Sequence, residues 1–78
     1  MTVQAYVLVQ TEVGTSAGVR AAIAALSGVT SAEDVTGPYD IIVRAEAPGM
    51  DELGRDILSA IQQVPGITRT LTCPVVRL

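Results

Sequence analysis

The sequence predicts a small α+β domain of ferredoxin-like topology, βαββαβ, in which a four-stranded antiparallel sheet carries both helices on one face. Three observations lead there. Hydrophobic periodicity switches between two and about 3.6 residues along six successive segments. The order of those segments repeats once within the chain. At 78 residues there is room for a single domain, 1–78.

The first segment, Val3 to Gln10, alternates: Val3, Ala5, Val7 and Val9 point one way, and Gln4, Tyr6, Leu8 and Gln10 the other. That is a strand with one buried face. Gly14-Thr15-Ser16 breaks it and supplies a helix cap. Val19, Ala22, Ile23 and Leu26 then recur at i, i+3, i+4 and i+7 as the buried stripe of a helix. Ser27-Gly28 ends that helix.

Val29 to Thr36 reads as a second, more polar strand, and Gly37-Pro38 as a turn. Tyr39 to Glu46 is a third strand with Ile41, Val43 and Ala45 on one face, broken by Pro48-Gly49. A second helix is expected from Met50 to Val64, burying Met50, Leu53, Ile57, Ile61 and Val64. Asp51 and Glu52 occupy its first turn, where the helix dipole favours anions, and Asp51 is placed to pair with Arg55. Pro65-Gly66 ends this helix, and Ile67 to about Val76 forms the last strand.

The repeat is visible in the residues. Leu26-Ser27-Gly28-Val29-Thr30 answers Val64-Pro65-Gly66-Ile67-Thr68, and Tyr6-Val7-Leu8-Val9 answers Asp40-Ile41-Ile42-Val43. Two βαβ halves side by side make the split βαβ arrangement, in which the last strand neighbours the first.

Composition excludes several functions. Formal charge is −3, and the five basic residues are all Arg (Arg20, Arg44, Arg55, Arg69 and Arg77), scattered along the chain. Nucleic acids and anionic membranes are held by clustered positive charge, so neither is an expected partner. Histidine is absent, which removes the commonest general base and metal ligand. The lone Cys73 can form no internal disulfide and belongs to no zinc-ligand spacing; its alternation with Leu71 and Val75 places it as a small buried residue. No metal or cofactor is expected. Met1-Thr2-Val3-Gln4 resembles neither a signal peptide nor a membrane anchor, and a free thiol suits the cytoplasm.

Hydrophobic residues make up 49% of the chain and aromatics only 3%. A domain of this size hides about 60–65% of its unfolded surface. The sheet face away from the helices would carry Tyr6, Leu8, Ile42 and Val76 among Gln4, Gln10, Asp40, Arg44, Thr70 and Thr72. Small soluble monomers rarely leave such a patch wet, and two sheets packed face to face would cover it. A homodimer is therefore expected, with Tyr6, Leu8, Ile42 and Val76 in its interface.

Gly37-Pro38-Tyr39-Asp40 is the most pointed segment for chemistry. Gly and Pro together leave backbone groups unpaired at a strand end, and Asp40 adds an acceptor for an ammonium group. Free N–H groups beside a carboxylate suit a small zwitterion such as an amino acid. The plainer alternative is a hairpin turn whose Tyr39 lids the core. Thr68, Thr70 and Thr72 alternate along the last strand, where β-branched residues on a polar face are the plainer explanation. Glu33-Asp34 and Asp51-Glu52 do not form acid/base pairs, and Gly14, Gly18 and Gly28 make no phosphate loop. No motif signals an enzyme.

Taken together, Ala5-Tyr6-Val7-Leu8-Val9, Leu26-Ser27-Gly28-Val29, Val35-Thr36-Gly37-Pro38-Tyr39-Asp40-Ile41, Leu53 and Pro65-Gly66-Ile67-Thr68-Arg69-Thr70-Leu71-Thr72 resemble the effector-binding (RAM) domain of the Lrp/AsnC family of transcription regulators. The resemblance covers nearly the whole chain. It implies a dimer of α+β barrel type formed through the sheets, further assembly into rings, often of eight chains, and a small effector, typically an amino acid, bound between dimers. Carried over, Gly37, Pro38, Tyr39 and Asp40 form one wall of that site, with Thr70 and Thr72 contributed by a neighbouring subunit. In this reading Asp40 takes the effector's amino group or holds the turn.

Full-length members of the family carry an N-terminal helix-turn-helix domain, whereas here the first strand begins at Val3. The resemblance thus implies a stand-alone effector domain that modulates transcription by assembling with full-length regulators. Two alternatives remain at this level: a small dimeric α+β barrel enzyme of monooxygenase or isomerase type, and an oligomerisation module without a ligand. The first would have to work with Tyr, Asp and Arg, because His, Trp, Asn and Phe are all missing.

Overall fold

The alternation in the strands and the stripes on the helices converge on one core. In the computed structural model, which describes residues 2–76, the elements are β1 (Val3–Thr11), α1 (Ser16–Ala24), β2 (Val29–Asp34), β3 (Ile41–Ala47), α2 (50–62) and β4 (Ile67–Pro74). The sheet is antiparallel in the order β2-β3-β1-β4, as the split βαβ topology requires. Ala5, Val7 and Val9 of β1 and Ile41, Val43, Ala45 and Ala47 of β3 are buried beneath Val19 and Ile23 of α1 and Leu53, Ile57 and Ile61 of α2. No side chain in this core is polar.

The internal repeat is a structural pseudo-symmetry. Gly28 and Gly66 both adopt positive φ, +91° and +99°, a backbone region in which only glycine is unstrained. Each then accepts at its carbonyl from the chain alongside, Gly28 from Glu46 N–H in β3 and Gly66 from Glu12 N–H just past the end of β1, both at 2.8 Å. At Gly28 space is a second constraint. A Cβ there would overlap the side chain of Ile57 and approach the Glu46 carbonyl to 3.1 Å.

Several expectations need correction. β2 stops at Asp34 and β3 starts at Ile41, so the connection between them is longer than the sequence suggested. Thr15 precedes α1, but its hydroxyl donates back to the Glu12 carbonyl at 2.7 Å and does not cap the helix. Ala22 is exposed. Arg55 pairs with the adjacent Asp56 at 3.1 Å, not with Asp51; that hydrogen bond and the carboxylate charge raise the guanidinium pKa further.

Helix α2 is not uniformly α-helical. Met50–Glu52 and Ser59–Gln62 are α-helical, while Leu53–Leu58 forms a π-helical segment. The reason lies in its stripe. Leu53, Ile57 and Ile61 are spaced by four, and in a regular α-helix each step of four drifts by about 40° around the axis. The wider π-turn cancels much of that drift, and all three side chains reach the core. Met50, which the simple stripe placed inside, is 55% exposed.

The largest correction concerns β4. Tyr6, Leu8 and Gln10 lie opposite Cys73, Leu71 and Arg69, whereas Val7 and Val9 lie opposite Thr72 and Thr70. Thr70 and Thr72 are therefore on the helix side of the sheet, half-buried, and Cys73 is exposed on the open side. A register shift between Gln10 and Thr11 causes this: Thr11 pairs with Ile67, and Ile67 packs on the core. One slipped residue moves every following side chain to the other face.

Candidate ligand site at the β2–β3 turn and the open sheet face

Gly37 to Asp40 close the β2–β3 connection and dock against the end of β1. Gly37 has φ +141°, and nothing stands within 4 Å of where its Cβ would be, so the turn is open to the outside. Asp40 is the tie. Its N–H donates to the Val9 carbonyl at 2.9 Å, and its own carbonyl accepts from Val35 N–H at 2.9 Å. Its carboxylate Oδ2 accepts from Thr11 N–H at 2.8 Å and from the Thr11 hydroxyl at 3.2 Å. Gln10 Nε2 donates to the Pro38 carbonyl at 3.2 Å. Gln10 and Thr11 are thus partners of the turn that sequence reasoning missed, since nothing local in the chain links them across 28 or 29 residues.

Thr70 and the turn flank the same end of β1, because Val9 neighbours Ile41 on one side and Thr70 on the other. That separates them by about two strand spacings, close to 10 Å. Thr72 lies further along, opposite Val7. A cavity of about 240 Å³ beside Thr70 is lined by Gln62, Ile67, Thr68 and Arg69 and does not include the turn. The turn and the threonines share one end of the sheet, but one chain alone does not join them into a pocket.

The open face carries Tyr6, Leu8, Ile42 and Leu71, with exposures of 40% at Tyr6, 37% at Ile42 and 46% at Leu71. Val76 is exposed beyond the end of β4; Leu71, opposite Leu8, is the apolar residue that β4 itself contributes. A polar chain crosses this face. Gln4 Nε2 donates to Glu46 Oε1 at 2.7 Å, Arg44 donates to Gln4 Oε1 at 2.9 Å and to the Tyr6 hydroxyl at 3.2 Å, and the Arg44 guanidinium lies 5.5 Å from the Tyr6 ring centre.

The arrangement offers backbone and carboxylate acceptors at an exposed turn, with a broad apolar face beside it. Among the described residues there is no group of three or more His, Cys, Asp or Glu suited to a metal ion, and no helix long and apolar enough to cross a membrane.

Residues 4–78 match the family described as Lrp/AsnC ligand binding domain. The chain belongs to that family. Among solved structures, this Lrp/AsnC domain is similar to TTHA0845 from Thermus thermophilus, with 29% identity and a TM-score of 0.89 over 97% of this chain and 95% of that one. It is similar to FFRP-DM1 at 31% identity and TM-score 0.88, covering 95% of this chain and 99% of that one. The transcriptional regulator NMB0573 of Neisseria meningitidis, solved as a complex with L-Met, shares the fold at 18% identity and TM-score 0.82; the Lrp/AsnC domain spans 96% of its own length and 50% of that chain. No curated protein matches.

Proposed function

We propose that this Lrp/AsnC domain binds a small amino-acid effector at the Gly37–Asp40 turn, between assembled copies, and modulates transcription indirectly through assembly with longer regulators of the family. The observation that carries the reading is the match of residues 4–78 to a ligand-binding family, combined with a turn whose carboxylate keeps an oxygen for a ligand. Both Thr11 bonds fall on Asp40 Oδ2, which leaves Oδ1 for an ammonium group. Asp40 then serves both roles, holding the turn and meeting the effector. Gly37, Pro38 and Tyr39 supply the rest of one wall, and Thr70 and Thr72 of a neighbouring copy supply the other. The complex of the Neisseria regulator with L-Met supports the effector class.

Assembly follows from the open face. Tyr6, Leu8, Ile42 and Leu71 form an apolar surface that a second copy covers, giving a homodimer from which larger rings can be built. The domain acts by binding, not by catalysis. In a regulator such as the Neisseria protein the same fold occupies half the chain, which gives this domain a matching surface in a longer partner.

A thermal-shift screen against the twenty amino acids tests the binding. At a hundred times its Kd a ligand adds about 2.7 kcal/mol, or roughly ten degrees or more in a domain of this size. One or two amino acids should give that shift in the wild type and lose it in Asp40→Asn, which keeps an acceptor for Thr11 but not the charge. A flat screen contradicts the reading. Co-expression with a tagged full-length Lrp/AsnC regulator should yield mixed complexes; separate elution would remove the indirect route.

A further inference from the structure

We infer that when two copies close over the open sheet face, Glu33 of each meets the partner's Arg69, and that these two reciprocal ion pairs fix the direction in which the copies pack. The inference rests on the self-association proposed above and names the residues that steer it.

Among the described residues of the strands, the charged side chains on the open side are Glu33 of β2, Arg44 and Glu46 of β3, and Arg69 of β4. Gln4 joins two of them: it donates to Glu46 at 2.7 Å and accepts from Arg44 at 2.9 Å. Glu33 and Arg69 are left over. Glu33 lies opposite Ile42 and Arg69 opposite Gln10, which places both on the open side. Both are exposed, and among the described residues neither side chain makes a hydrogen bond or an ion pair. Arg44, the diagonal neighbour of Glu33 across the β2–β3 pair, turns instead toward β1, where it bonds Gln4 and Tyr6.

The sheet keeps the two leftover charges apart. β2 and β4 are its outer strands, so three strand spacings, about 14 Å, separate Glu33 from Arg69. That is too far for a pair within one chain. One edge of the face is thus negative and the other positive.

Symmetry turns this into a choice of packing. Two identical faces meet about a two-fold axis lying between the sheets. With the axis along the strands, the β2 edge of one copy lies over the β4 edge of the other, and each Glu33 faces the partner's Arg69. With the axis across the strands, β2 lies over β2 and β4 over β4, and like charges meet at both edges. Facing sheets stand about 10 Å apart, a gap that one Arg and one Glu side chain span together. Like charges juxtaposed across an interface are disfavoured, so the axis runs along the strands. Pairs at the rim select the partner and its orientation more than they add affinity. A longer regulator shares the face on the same condition, a negative β2 edge and a positive β4 edge.

The test is charge reversal, read as the dimer dissociation constant of the full chain by sedimentation equilibrium at low salt. Glu33→Arg and Arg69→Glu should each weaken the dimer about tenfold or more, because attraction becomes repulsion at two symmetry-related places. The double reversal should return to within about threefold of the wild type. An equimolar mixture of the two single variants should form mixed dimers of wild-type strength, resolved by native mass spectrometry. Arg55→Glu, which reverses a charge on α2 away from the face, should leave the dimer unchanged. Single variants that dimerise like the wild type, or a mixture that stays as weak as its parts, would overturn the pairing and leave self-association intact. A wild-type chain that is monomeric at micromolar concentration would remove self-association itself, and the pairing with it.

Discussion

Gly28 and Gly14 share a positive φ but differ in what surrounds them, and that difference sets the cost of a side chain. At Gly14, φ is +82° and a Cβ would meet nothing within 4 Å, so Gly14→Ala should cost only the backbone strain of about 1–2 kcal/mol. At Gly28 the same strain is joined by overlap with Ile57 and the Glu46 carbonyl. Gly28→Ala should cost about 3 kcal/mol or more, and urea denaturation of the two variants separates the terms. Asp40 is testable at the same scale. Asp40→Ala leaves Thr11 N–H without its acceptor and should destabilise the ligand-free protein by about 1–2 kcal/mol, measurable in the same way. Unchanged stability would mean that the carboxylate does not hold the turn.

At the scale of elements, the strands that alternate cleanly were legible in the sequence. Val3, Ala5, Val7 and Val9, and then Ile41, Val43 and Ala45, fix which face of the sheet meets the helices, and the paired glycine turns fix where each helix gives way to a strand. The last strand was not legible. Thr68-Arg69-Thr70-Leu71-Thr72-Cys73 offers no dominant apolar face, and the slip at Gln10 and Thr11 that decides its orientation is a long-range pairing without a local signature. For the same reason the turn was recognisable as a candidate site while its anchors Gln10 and Thr11 were not. Helix α2 concealed its π-turn because periodicity alone accepts residues three or four apart. Its Leu53 side chain is fully buried, and Leu53→Ala should cost about 2–4 kcal/mol in chemical denaturation. In α1 the opposite change should help. Gly18 has ordinary helical geometry and nothing within 4 Å, so Gly18→Ala should stabilise by about 0.5–1 kcal/mol.

For the whole molecule, the balance between size and apolarity decides the behaviour. A 78-residue chain with a single layer of helices can cover only one face of its sheet, and the other keeps Tyr6, Leu8, Ile42 and Leu71 in contact with water. In the proposed account, association through that face would stabilise each copy and build the dimers between which a neighbour completes the turn at Gly37–Asp40. The function proposed for the domain therefore rests on self-assembly through the open sheet. Static light scattering on the eluting peak in size-exclusion chromatography, at micromolar protein, tests this most directly. The expected particle has two or more times the chain mass of 8.1 kDa, falling to one chain in Leu8→Asp. A wild-type particle of a single chain mass would contradict the account.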